Sequence, residues 1–200
     1  MPRLLDLFCG RWGWSRAFAA RGWECYGIDQ ESPHETPEGC IFIQWDISFL
    51  YDVSDYKADF IVASPPCEEF SVFGLKMWHK KPHYPEWGVS LFNRTRKLCY
   101  ESCVPYIIEN VRSAEQFVGP AVSHCGPFYL WGSGVPPLLN QGITKGSMIW
   151  SSRYRNMKKS QRKKEVATIP PELANCVADY AERLLEQQAK IVLASAEEKE

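Results

Sequence analysis

The 200-residue chain contains no apolar run near the ~18 residues that a bilayer-spanning helix requires. Its opening Met1-Pro2-Arg3 leads into an apolar stretch too short for a secretory signal, with no small-residue cleavage site. Both absences point to a cytoplasmic protein with reduced thiols and no membrane partner; a bacterial or phage-type context is a guess that neither absence supports. Charge of one sign is lacking too. The formal net charge is −1, so any nucleic-acid surface must come from local clustering. The eight cysteines, at 9, 25, 40, 67, 99, 103, 125 and 176, form no paired CxxC knuckles, which argues against a disulfide framework and a zinc ribbon. Cys99 and Cys103 lie four apart on an expected helix and could share a face. With no second pair or histidine nearby they read as small buried apolar residues, and no metal is expected. Internal repeats are absent as well.

What is present is ordinary globular composition, 45% hydrophobic and 24% charged, in a length that supports one core. Apolar runs bounded by turn residues predict strands over Leu4 to Phe8, Glu24 to Ile28, Ile41 to Trp45, Asp59 to Ala63, Tyr106 to Ile108 and Phe128 to Trp131. Met148 to Trp150 reads as one more. Helices are expected over Trp14 to Ala20, which stops at Arg21-Gly22, and over Leu91 to Cys103. From Pro171 to about Val192, Leu173, Val177, Tyr180 and Leu184 recur at amphipathic-helix spacing. Near-continuous apolar strands with helices between them imply an α/β, Rossmann-like fold, its mostly parallel sheet covered on both faces. Ligands bind such sheets beyond the carboxyl ends of the strands. Those ends here carry carboxylates, glycines, prolines or cysteines.

At the first such end, Asp6-Leu-Phe-Cys-Gly10-Arg-Trp-Gly13 joins strand to helix. Its glycines let backbone approach a ligand, and the helix start offers unpaired amides. The spacing is not GxGxxG, which suits a ligand with a carboxylate better than one with a pyrophosphate. Asp29, ending the second strand, is placed to accept from a ribose hydroxyl pair, and Asp46, ending the third, from an adenine amine. Ser64-Pro-Pro-Cys67-Glu-Glu-Phe70-Ser71 follows the fourth strand, and its prolines hold Cys67 on a rigid turn. A thiolate there is a soft nucleophile. Carbon 5 of cytosine is a poor nucleophile until a thiolate adds to carbon 6 and creates an enamine. Glu109, in Ile-Ile-Glu-Asn-Val, could protonate or hydrogen-bond ring N3 and make carbon 6 more electrophilic.

Asp-Leu-Phe-Cys-Gly, Pro-Pro-Cys-Glu-Glu-Phe-Ser and Glu-Asn-Val, in that order, resemble three motifs of the DNA cytosine-5 methyltransferases. The resemblance covers roughly residues 3 to 132 and returns weakly at Ile169-Pro-Pro-Glu-Leu-Ala174. It implies the S-adenosylmethionine-dependent methyltransferase fold, with S-adenosylmethionine as methyl donor and S-adenosylhomocysteine as product. It further implies that Phe8, Gly10, Trp12 and Gly13 line the donor pocket, with Asp29 at the ribose, Asp46 and Ile47 at the adenine, and Pro66 beside the methyl group. Gly88 to Phe92 is loosely similar to another donor-lining motif, with Leu91 as the contact. Cys67 and Glu109 correspond to the catalytic pair. The chain then reads as one catalytic domain: a cofactor and catalytic core over 1–132, a reduced recognition and basic segment over 133–168, a C-terminal helix over 169–193 and a frayed tail over 194–200.

Four departures stand out. The family's double glycine is Trp12-Gly13 here. Its Gln-x-Arg-x-Arg motif, whose arginines help hold the target base, is replaced by Ser123-His-Cys-Gly-Pro, so His124 or a group elsewhere has to substitute. Asn175-Cys-Val177 is a remnant of the closing Asn-x-Val-Pro-Pro, and the long target-recognition region is nearly absent. Two stretches could hold DNA instead. One is the cationic and aromatic loop after Cys67, with Lys76, Lys80 and Lys81. The other is residues 151 to 164, which hold seven Lys or Arg and no acid, among them Arg153, Arg155, Lys158 and Lys159. An amino methyltransferase is the competing chemistry, but an aromatic residue normally stands where Cys67 does. The missing recognition region also fits an inactive or partner-dependent subunit served by a second protein chain. The motifs do not separate DNA from RNA.

Overall fold

The computed structural model describes residues 1–70, 85–137 and 168–197. Six expected strands and one more form a seven-stranded sheet: β1 (Arg3–Leu7), β2 (Glu24–Asp29), β3 (Cys40–Gln44), β4 (Phe60–Ala63), β5 (Tyr106–Asn110), β6 (Ser123–Cys125) and β7 (Phe128–Trp131). Their spatial order is β3-β2-β1-β4-β5-β7-β6. Strands β1 to β5 run parallel, and β7 alone is reversed, antiparallel to both β5 and β6. This is a Rossmann-like α/β fold, a mostly parallel sheet with helices on both faces.

Each strand sends alternate side chains to opposite faces. Leu4, Val62, Ile107 and Leu130 meet α1 (Ser15–Ala19) and α4 (Pro171–Glu197) in one core. Leu5, Leu7, Ile61, Ala63 and Ile108 form the second core, under α2 (Glu86–Glu101), α3 (Glu115–Val118) and short 3-10 turns. Covering both faces explains why every residue of Phe60-Ile-Val-Ala63 is buried. Arg21, just after α1, ties that helix to α4 through Asp179 at 2.5 Å and Asn175 at 2.7 Å.

Three boundaries differ from expectation. Ser123-His-Cys125 is a strand, because β7 folds back on it; three residues are too few to show an alternating pattern. Helix α2 starts five residues early, at Glu86, and ends at Glu101. Cys103 lies beyond it at φ 57° and is exposed while Cys99 is buried, so the two thiols share no face. Helix α4 continues to Glu197 through the helix-forming Ala194 to Ala196 stretch, where a frayed tail was expected. Met148 to Trp150 lies outside the described residues.

Trp12 departs most from the expected turn. It adopts φ 64° and is fully buried, with its ring lying over Gly27 of β2. Its indole N–H donates to the Glu35 carbonyl at 3.0 Å, and the ring meets Phe42 edge-on at 6.3 Å. A Cβ on Gly27 would lie 2.2 Å from that ring. Gly27→Ala is therefore expected to cost about 1–3 kcal/mol, the scale of core overpacking. Combining it with Trp12→Phe, which shortens the ring, should recover part of that loss. Urea unfolding of both single variants and the pair measures the coupling, and strictly additive losses would contradict the contact.

Candidate active site

Parallel β1 to β5 bring their carboxyl ends to one edge, where the first loop is built onto the end of β2. The amides of Phe8 and Cys9 donate to the Ile28 carbonyl at 2.8 and 3.2 Å, and Trp12 N–H donates to Cys9 at 2.7 Å. Asp29 takes the Gly10 amide on Oδ2 and the Glu31 amide on Oδ1, both at 3.0 Å. The amides expected to stand free for a ligand are thus largely committed within the protein, and α1 itself is only five residues long. A carboxylate accepts about four hydrogen bonds, so Asp29 retains acceptor capacity for a hydroxyl pair.

At the neighbouring strand end, Asp46 caps the Ile47–Phe49 turn by accepting the Ser48 amide at 2.8 Å, and its bonds with Ser48 hold it below the usual carboxylate range. Phe8, Gly10, Asp29, Asp46 and Pro66 keep surface open to solvent. Trp12, Ile47 and Leu91 are buried. Gly13 faces the C-terminal segment, where an added Cβ would come within 3.0 Å of Ile169. Asn175 is occupied with Arg21, away from this edge.

The sequence reading missed Asp6. It is fully buried in β1, and dehydration pushes its pKa up to about 7 against the opposing pull of its bonds with Ser15. Oδ2 accepts the Ser15 hydroxyl at 2.6 Å, while Oδ1 has no donor among the described residues. The available signal was a charged residue inside the apolar run Leu4-Leu5-Asp6-Leu7.

Cys67 sits in a loop held from several sides. The Ser64 amide donates to Leu7 at 3.1 Å, and the Asn110 side-chain amide donates to the Pro65 carbonyl at 2.9 Å. The Phe70 amide closes a turn onto the Cys67 carbonyl at 3.0 Å. The buried Phe70 is fixed further by a Ser113 hydroxyl on its carbonyl, and Glu69 accepts the Gly88 amide of α2 at 2.7 Å. Asn110 is therefore a clamp between β5 and the Cys67 loop rather than a helix cap.

The β4–β5 register pairs Ala63 with Ile108, which sets Ser64 beside Glu109. Dehydration pushes the Glu109 carboxyl up to about 7, opposed by a hydrogen bond from Ser64. Ser64 Oγ in turn accepts the Trp14 indole N–H at 3.1 Å. His124 does not take the place of the missing arginines. It stacks on Tyr129 at 4.8 Å, and Tyr129 packs with the α2-side core, whereas Glu109 alternates to the α1 side. Lys76, Lys80, Lys81, Arg153, Arg155, Lys158 and Lys159 lie outside the described residues.

No family model and no curated protein matches the chain. Among solved structures it is similar to the S. pombe Dnmt2 methyltransferase, at 20% identity over 59% of this chain with a TM-score of 0.39. A Spodoptera frugiperda DNMT2 variant matches at 20% identity over 58% of the chain, with a TM-score of 0.36. The glycopeptide N-methyltransferase MtfA complexed with S-adenosyl-L-methionine matches at 15% identity over 66%, with a TM-score of 0.32. The chain spans 37% of the length of the two Dnmt2 structures and 58% of the N-methyltransferase.

Asp6 and Glu109 bind their protons more tightly when folded than when unfolded. Each therefore stabilises the fold most below its ordinary pKa, 3.8 or 4.5, and loses that contribution as pH rises to about 7. One pKa unit corresponds to about 1.4 kcal/mol, which bounds the effect at roughly 3.5 kcal/mol for Glu109 and roughly 4.5 kcal/mol for Asp6. Unfolding free energies measured from pH 4 to 8 should fall across that window. Asp6→Asn or Glu109→Gln should each flatten the fall, and unchanged slopes would contradict the dehydration of these carboxyls.

Proposed function

We propose that this protein is an S-adenosylmethionine-dependent methyltransferase acting on carbon 5 of cytosine in DNA, with Cys67 as nucleophile and Glu109 as its acid partner. The observation that carries this reading is the Pro-Pro-Cys67 loop, pinned by Asn110 at the end of β4 next to the β5 end that bears Glu109, a carboxyl that dehydration pushes up to about 7. A proton or hydrogen bond offered by Glu109 to ring N3 draws electrons from carbon 6. The Cys67 thiolate then adds there, and the resulting enamine makes carbon 5 nucleophilic. S-adenosylmethionine supplies an electrophilic methyl group on a sulfonium. Loss of the carbon 5 proton to a base and expulsion of the thiolate restore the aromatic ring.

The donor fits the strand ends. Asp29 has acceptor capacity left for ribose hydroxyls, Asp46 stands at the next strand end, and the orphaned Oδ1 of Asp6 is a buried acceptor on the same face. DNA is the proposed partner, held by Lys76, Lys80, Lys81, Arg153, Arg155, Lys158 and Lys159. A target base must leave its stack to reach Cys67, at a cost of a few kcal/mol. The near-absence of a recognition region makes a second protein chain a candidate source of sequence choice.

Two experiments test the reading. Calorimetry should detect S-adenosylmethionine or S-adenosylhomocysteine binding, and Asp29→Ala should weaken it by about 1.5–3 kcal/mol, the scale of hydrogen bonds to a charged group. No heat with either ligand on folded protein would sink the cofactor assignment. Separately, duplex DNA carrying 5-fluorocytosine should form a denaturant-resistant adduct with wild-type protein and methyl donor, because fluorine cannot leave as a proton. Cys67→Ser should form none, and Glu109→Gln should slow turnover on ordinary DNA. Tritiated methyl transferred to tRNA instead of DNA would move the substrate to RNA. Methylation of DNA without an adduct would favour an amino methyltransferase.

A further inference from the structure

We infer that Trp14 and Ser64 are positioning residues that fix where Glu109 carries its proton. The inference rests on Glu109 being the acid partner of Cys67. An indole N–H can only donate. Trp14 donates to Ser64 Oγ at 3.1 Å, so the hydroxyl hydrogen has to leave Ser64 in another direction, and the β4–β5 register sets Glu109 beside it as the acceptor we infer. The chain therefore has one polarity: Trp14 to Ser64 to Glu109.

Both ends of the chain are held. Trp14 is 2% exposed, packed in the α1-side core with Val62 and Ile107. Ser64 is anchored through its backbone to Leu7, and Glu109 by its place in β5. One Glu109 oxygen is thus committed as an acceptor. A proton on the carboxyl belongs on the other oxygen, which stays available to a ring nitrogen.

A cation beside Glu109 would favour the ionised carboxylate, which can only accept. The Trp14–Ser64 relay is neutral, so it orients the carboxyl while leaving it able to hold a proton near neutral pH. Among the described residues the Glu109 shift is set by burial and Ser64, not by Asp6 or Asp29.

The test needs no substrate. Carboxyl carbon NMR of the full chain, labelled at glutamate, gives the Glu109 titration, identified by the resonance that Glu109→Gln removes. Wild-type Glu109 should titrate near 7. Ser64→Ala removes a bond to the charged form, so the midpoint should rise by about half a pH unit or more, and Ser64→Thr should restore it. Trp14→Phe, which frees the hydroxyl to turn away, should move it part of the way. An unshifted midpoint in Ser64→Ala overturns the relay, and that variant alone decides the matter should Trp14→Phe not fold. In turnover assays the alkaline limb of the pH profile should move with the NMR midpoint. If the midpoint moves as expected while no polymer is ever methylated, the relay stands and the proposed reaction fails.

Discussion

Helices α1 and α4 close over the sheet face that carries Asp6, and in doing so they keep water from a carboxyl group that would be ionised in solvent, while Ser64 and Glu109 lie half-buried at the end of the same face. The exclusion comes from ordinary packing. Phe18, Trp23, Leu173, Val177 and Ala181 share that core, and none of them approaches a reacting atom in the proposed chemistry. The polar groups on this face pair locally, Ser15 donating to Asp6 Oδ2 and Trp14 to Ser64 Oγ. The reactive edge of the sheet inherits its electrostatics from how firmly that one layer is sealed.

Much of this arrangement is legible in the residues. Strands β1 to β5 are near-continuous apolar runs, a pattern that only a sheet covered on both sides accommodates. The segments that end them, at Asp29, Asp46, Cys67 and Glu109, come together at one edge once the strands are parallel. Strand β6 was illegible because pairing with β7 creates it and its three residues carry no periodicity. The Trp14–Ser64 contact was illegible for a different reason. The partners are fifty residues apart, and each reads locally as something bland, a helix-face aromatic and a serine before proline.

The first loop shows how a departure from a familiar pattern can be absorbed. Trp12 occupies a left-handed backbone position where the resembled family has glycine, a conformation that costs a bulky residue of order 1–3 kcal/mol. Burial of the whole indole, its hydrogen bond to Glu35 and the space left by Gly27 offset that strain. The ring lies within the fold, so the change reshapes the wall behind the candidate donor site rather than its open surface.

Ile169 sits against Gly13, and Arg21 reaches Asp179 across 158 residues of chain. The first loop is therefore completed by a segment translated long after it. While the ribosome is still making the middle of the protein, Leu4, Phe18 and Trp23 lack the helix that covers them, and the loop bearing Phe8 and Gly10 lacks its backing. Nascent chains ending before α4 should thus be unable to hold a small molecule at that loop, and they expose apolar surface that invites chaperones. Competence at this edge of the sheet arrives late in synthesis, with the helix that docks on α1.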